Sequence, residues 1–319
     1  MHDARLGGMT PATLPVPDFG GSRLRDDARP DTAWREELRK ILNARNALSI
    51  LSLYAQTGAV IGFTLWWNHP LGWVLGVVLM GRAHAQFMSL MHEAAHRLLF
   101  SSKRVNDFVG RFLIGYPAFT NTDAYRRVHM AHHRDEFGPE EPDTPLYANY
   151  PISRDSWRRK LWRDASGQTG WKLLKQQFSG LRGADPLTRR SQQKILAMQV
   201  VFIAISVALG APEVYFVLWL LPFLTVWRVI NRLRSVAEHG GMRRGDDRRI
   251  ATHSVRQTAV ARFFLVPFNI GFHLSHHVDA GIPFRSLPKF HRELKRAGYL
   301  TDGLEYRTYR SLWQALRAG

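Results

Sequence analysis

Apolar and charged positions along this chain separate into long blocks instead of alternating at short range. From Asn46 to Trp67 the run NALSILSLYAQTGAVIGFTLWW contains no charged residue. At a rise of about 1.5 Å per residue, such a run covers roughly 30 Å, the thickness of a bilayer's hydrocarbon. Asn68, His69 and Pro70 form a turn, and a second apolar run goes from Leu71 towards Leu90, so residues of about 46–91 read as a transmembrane helical hairpin. A second hairpin, about 195–230, consists of Ile195 to Gly210, a turn at Ala211 and Pro212, and Val214 to Ile230 interrupted by Pro222. Its arms are short, which calls for tilt or local thinning of the bilayer. Asp107 to Phe119 and Phe263 to Phe272 are apolar but too short to span, and Gly or Pro breaks each, so they read as interfacial or re-entrant. The expected fold is all-α: a polytopic membrane protein with two hairpins and a helical cap.

Charge sets the orientation. Of the 44 Lys and Arg, eight precede the first hairpin, eighteen lie in Arg97 to Lys194, sixteen follow Ile230, and neither hairpin turn has any. The other two, Arg82 and Arg228, lie in the halves of their helices nearer the charged side, where they can snorkel or face other helices. By the positive-inside rule the termini and the long central segment are cytoplasmic, in the cell inner membrane if the source is bacterial. The net charge of +18 is then chiefly this bias, with affinity for anionic membrane lipids, and no nucleic-acid partner is expected. Residues 1–31, rich in Gly, Pro, Arg and Asp, read as a disordered tail before a single integral-membrane domain over 32–319.

With no cysteine present, a metal has to be held by nitrogen or oxygen, and fourteen histidines stand out. His92-Glu93-Ala94-Ala95-His96 places two imidazoles four residues apart on one helical face at the cytoplasmic end of the first hairpin. His129-Met130-Ala131-His132-His133 and His273-Leu274-Ser275-His276-His277 share an i, i+3, i+4 spacing, and His239 follows the second hairpin by about two turns. Four segments thus bring nine histidines to one side of the membrane. Nine nitrogen donors exceed a four-ligand zinc site and suit two metals. Glu93, Asp135, Glu238 and Asp279 neighbour the boxes and are candidates to accept the outer N–H of a ligand. His84, His253 and His291 read as supporting residues.

HEAAH, HMAHH and HLSHH, with RSVAEHGG before the last, resemble the histidine boxes of the membrane fatty acid desaturase superfamily, which includes hydroxylases, ketolases and alkane monooxygenases. The resemblance covers the chain from the first hairpin to about Tyr299. It implies that His92, His96, His129, His132, His133, His239, His273, His276 and His277 hold two iron ions as a non-haem di-iron centre. It further implies O2 as co-substrate and insertion of a double bond into a long-chain fatty acyl lipid. The chain carries no HPGG haem motif, His69-Pro70-Leu71-Gly72 being in the outer turn, so the resemblance implies electrons from an external ferredoxin or cytochrome.

An acyl chain would need an apolar tunnel between the helices, with Trp66, Trp67, Phe87, Trp219, Phe223 and Trp227 as candidates to line it or to anchor the helices at the interfaces. Tyr116, Arg126 and Arg127 are candidates to meet a head group. Hydroxylation and ketolation start from the same hydrogen abstraction and are alternatives. HEAAH also fits an HExxH zinc protease with Glu93 as base, a reading that leaves the other boxes unexplained.

Overall fold

The computed structural model describes residues 6–139, 141, 143–183 and 185–319. In chain order its principal helices are α1 (Thr32–Leu38), α2 (Asn43–Trp67), α3 (Pro70–Ala95), α4 (Thr122–Arg134), α5 (Arg154–Ala165), α6 (Gln168–Gly183), α7 (Pro186–Ala208), α8 (Val226–His239), α9 (His273–Val278), α10 (Leu287–Arg296) and α11 (Tyr309–Leu316). Among the described residues strand is confined to β1 (Ser254–Val255) and β2 (Glu305–Tyr306), paired in parallel. Four stretches are long and apolar enough to cross a membrane: Thr32–Trp67, Pro70–Ala95, Pro186–Ala208 and Val214–His239. The all-α, two-hairpin expectation holds, and the protein is an integral membrane protein.

The chain falls into two compact units. One comprises Leu42–Arg126 with Arg159–Arg232, the other Met1–Ile41 with Arg127–Arg158 and Leu233–Gly319.

In the first unit, α2 ends at Asn68, whose left-handed backbone (φ 39°) reverses the chain. The His69 Nδ1 accepts from the Leu71 N–H, and Pro70 opens α3, where its missing N–H leaves no bond unmade. α3 is the most buried of the four stretches because it is made of small residues where it meets its neighbours. A Cβ on Gly81 would come within 2.3 Å of Val226 Cγ1, so glycine is what lets these backbones approach. Arg82 solves its charge locally, donating to Gln56 Oε1 and Gln86 Oε1 at 2.7 and 2.9 Å. His84 is fully buried against the Trp219 carbonyl oxygen, 3.0 Å from its Nε2. Phe87, Trp219, Phe223 and Trp227 are core residues of this unit, whereas Trp66 is 80% exposed beside the turn, as an interfacial anchor would be.

Two helix boundaries differ from the hydropathy reading. α7 starts at Pro186 instead of Ile195, because Asp185 caps it by accepting from the Leu187 and Thr188 N–H groups. Hydropathy detects the apolar part of a helix and misses its charged first turns. The last stretch consists of a wide π-type helix (Val214–Leu220), a single turn (Leu221–Leu224) that takes Pro222 at its start, a break at Thr225, and then α8. The apolar segment at 107–119 forms a π-type helix at Val109–Gly115, and that at 263–272 forms turns after a short helix, Ala259–Phe264; neither spans.

In the second unit, α9 is wholly buried and α10 and α1 lie nearby, Trp34 meeting Phe290 edge-on at 6.2 Å. Arg35 grips Asp279 with two bonds of 2.5 and 3.0 Å. Residues 6–31, expected as a tail, contain no helix and hydrogen-bond to this unit through Gly7 N to Met242 O, Met9 N to Gly241 O and Asp18 N to Ala297 O. His2 lies outside the described residues.

Candidate metal centre

An i, i+3, i+4 triplet on a helix cannot aim all three side chains at one point. At 100° per residue, positions i and i+4 nearly overlie each other while i+3 stands off to the other side. The second and third boxes of this chain use that offset to face two ways. His129 and His133 share a face of α4, their Nε2 atoms 3.1 Å apart, and His276 from α9 brings its Nε2 to 3.0 Å from that of His133. His132 turns aside to His239 and His277, with ring centroids 4.8 and 5.0 Å away. His273 completes this second set, its Nε2 lying 3.0 Å from the Nε2 of both His239 and His277.

Seven of the nine predicted histidines therefore gather within one unit as two sets: His129, His133 and His276, and His132, His239, His273 and His277. His92 and His96 belong to the other unit, where they stand one turn apart at the end of α3 with ring centroids 4.7 Å from each other.

What the outer ring nitrogens touch decides whether these sets fit a metal. His239 Nδ1 lies 2.9 Å from the Ala251 carbonyl oxygen and 2.9 Å from Glu136 Oε1; neither oxygen can donate, so Nδ1 carries a hydrogen, and although burial pulls the pKa of this ring down, Glu136 and the Ala251 carbonyl outweigh it and raise it. His132 Nδ1 bonds Glu141, His277 Nδ1 is 3.4 Å from Glu136 and His273 Nδ1 is 3.6 Å from Glu238. Carboxylates thus stand outside these rings, while inside the Nε2 atoms of His239 and His277 each crowd to 3.0 Å from that of His273. A cation satisfies that arrangement, and carboxylate partners behind histidine ligands are how metal sites fix ring orientation. Burial holds His277 down at about 3 and His273 well below the usual histidine range, so both are neutral, as ligands must be. His96 is likewise down at about 3, first through burial and then through the charge of Arg126.

Glu136 is the acid that sequence reasoning missed. Burial works against its charge, but the facing rings of His277 and His239 outweigh it and hold the carboxyl well below the usual range. It also accepts from Arg248 Nη1 at 2.8 Å and Thr252 Oγ1 at 3.1 Å. Among the sequence candidates Glu238 does face a box histidine and also takes Arg234 Nε at 2.6 Å. Asp135 instead pairs with Arg244 at 2.6 Å and Asp279 with Arg35. Helical spacing gave no signal for Glu136 or Glu141, because both lie beyond the end of α4 at Arg134.

The supporting histidines have structural partners. His253 Nε2 donates to Gly240 O at 2.8 Å, and His291 bridges Ser275 Oγ (2.9 Å) in the third box to Glu305 (3.0 Å). Tyr116 is only 2% exposed, and Arg126 is committed to the end of α3, so neither is placed to meet a head group.

Long apolar helices combined with buried, converging imidazoles define an integral-membrane protein with a histidine-rich site compatible with metal. The chain matches the family described as fatty acid desaturase over residues 64–310, and it belongs to that family. Among curated proteins it is 27% identical over 292 residues, 84% of this chain and 82% of the relative, to the dihydrorhizobitoxine desaturase of Bradyrhizobium elkanii. That membership replaces the zinc-protease reading of HEAAH.

Proposed function

We propose that this protein is an O2-dependent desaturase that introduces a double bond into a long-chain fatty acyl lipid. The observation that carries the reading is the set of His132, His239, His273 and His277, whose rings converge within one unit while the outer nitrogens of His132 and His239 are held by Glu141 and by the Ala251 carbonyl oxygen. Two iron ions would be held by the nine histidines, this set among them. When bound, such a centre supplies activation of O2 for removal of hydrogen from an unactivated carbon. The reaction balances as loss of two hydrogens from adjacent carbons, with O2, two electrons and two protons leaving as two waters. The electrons come from an external ferredoxin or cytochrome, and the site and both termini face the cytoplasm.

The chain's own residues do the holding. Glu141 and Glu136 hold the outer nitrogens of His132 and His239, Arg248 and Thr252 keep Glu136 in place, and the apolar helices offer an acyl chain surroundings as apolar as the bilayer it leaves. Metal analysis of the purified protein is expected to give about two irons per chain. Lipid profiling with double-bond location, in cells with and without the gene, is expected to show one O2-dependent product. His132→Ala, His239→Ala and His276→Ala should each abolish it with the protein still inserted; product retained in all three rules out the di-iron site. The relative's name favours a second reading, that the substrate is dihydrorhizobitoxine or a molecule close to it, and supplying that compound to the same cells separates the two.

A further inference from the structure

The first unit contains an apolar slot of about 250 Å³ that the metal site does not use. One wall is a single face of α6, where Trp171, Leu174, Phe178 and Leu181 recur at helical spacing. The opposite wall is the face of α7 carrying Ile195, Leu196, Val200 and Ile203, with Tyr215, Phe216 and Leu220 of the π-type helix at its far end. The walls are not sealed: Trp171 is 53% exposed, Phe178 47%, Val200 55% and Phe216 52%. In water so much open aromatic and aliphatic surface would be costly, and beside a membrane span it is a lipid-facing surface.

Charge marks one end of the slot. On α6, Lys175 and Arg182 stand one turn after Trp171 and Phe178 and are exposed, so they edge the same face. On α7, Arg189 stands one turn before the slot-lining Gln192 and is also exposed. Arg182 lies in the last turn of α6 and Arg189 in the first turns of α7, so both sit where the two helices meet in sequence. The slot thus has a cationic mouth where α6 and α7 meet in sequence and an apolar floor running away from it, with Phe178 one turn in from Arg182 and Trp171 at the far end of α6.

We propose that this slot is a binding site for one anionic phospholipid of the host bilayer, with an acyl chain between α6 and α7 and the phosphate at Arg182 and Arg189. The site is separate from the histidine sets and from the reading of function given above. Basic residues near a membrane surface each favour anionic lipid by an amount that, for two of them, corresponds to about 30-fold in affinity. Phe178, one turn before Arg182, stands at the glycerol level, and the slot excludes the chain from the bulk bilayer.

Native mass spectrometry of the full-length protein, released from nanodiscs of phosphatidylcholine and phosphatidylglycerol in a four-to-one ratio (about 20% anionic lipid, enough to test selection), tests it. The expected result is one phosphatidylglycerol retained in preference to phosphatidylcholine. The double variant Arg182→Ala/Arg189→Ala should lose that preference, about 30-fold, while Arg182→Lys/Arg189→Lys keeps it. Val200→Trp, which fills the slot and leaves the charges alone, should release the lipid as well. Equal retention of both lipids by the unaltered protein, retention by the double alanine variant, or retention by Val200→Trp would each overturn the proposal. Iron content, unchanged in all variants, separates this outcome from failure of the desaturase reading.

Discussion

Arg126 Nε donates to the carbonyl oxygen of Ala95 at 2.8 Å. Its Nη2 reaches the Ala94 carbonyl at 3.0 Å and Asp107 at 2.6 Å, so one guanidinium closes the C-terminal end of the helix that carries His92 and His96. The last carbonyls of a helix have no partner inside it, and a cation there also meets the negative end of the helix dipole. Asn106 Nδ2 adds a second donor to Ala94 O at 2.9 Å.

Replacing Arg126 removes a fork that a single ammonium cannot reproduce. Arg126→Ala is expected to destabilise the protein by about 2 kcal/mol, since it takes the side-chain donor from the Ala95 carbonyl and the shortest of its ion pairs from Asp107, which keeps Arg97 and Asn106. Arg126→Lys should recover less than half of that. Thermal unfolding in detergent measures both, and iron content should fall with the first variant if the first box loses its orientation.

Glu136→Gln keeps shape and one acceptor but removes the charge that faces His239, His277 and Arg248. Loss of a carboxylate behind a ligand commonly costs 10- to 100-fold in metal affinity, roughly the range expected here. Titration with a chelator, followed by the iron remaining per chain, would show the variant releasing metal at lower chelator concentration. An unchanged release curve would mean that Arg248 and Thr252 alone hold this region.

Gly81 and Val226 make a paired test of packing. Gly81→Ala puts a methyl 2.3 Å from Val226 Cγ1 and should cost about 2 kcal/mol, as overpacking does. Val226→Ala in the same chain should return most of it, because the two changes share one space and so do not add. Melting temperatures of the two single variants and the double variant close the cycle.

His253 predicts a pH effect. Burial lowers its pKa from the ordinary histidine value of 6.5 to about 4, so between these values the unfolded chain binds a proton that the folded one does not. The sign follows: its contribution is complete above about 6.5 and is lost as pH falls towards 4, at most about 3 kcal/mol. His253→Gln keeps a donor for Gly240 O without a proton to bind, so the gap in melting temperature between pH 7 and pH 4.5 should be smaller in the variant than in the parent.

The sequence by itself determined the spans and the boxes, because both are local. An uncharged run long enough to cross hydrocarbon announces itself, and so does a histidine triplet at helical spacing. It did not determine helix starts such as Pro186, where a capping side chain and not hydropathy sets the boundary. Nor did it reveal that each triplet is split between two sets, since the division between His133 and His132 depends on which side of α4 meets α9 and which meets α8. Glu136, Glu141 and the role of Arg126, read from sequence as a head-group contact, were hidden for the same reason: their partners lie across turns and between helices, at separations of up to about 140 residues (His277 to Glu136). Spacing along a helix fixes directions, and only the tertiary structure fixes what stands in those directions.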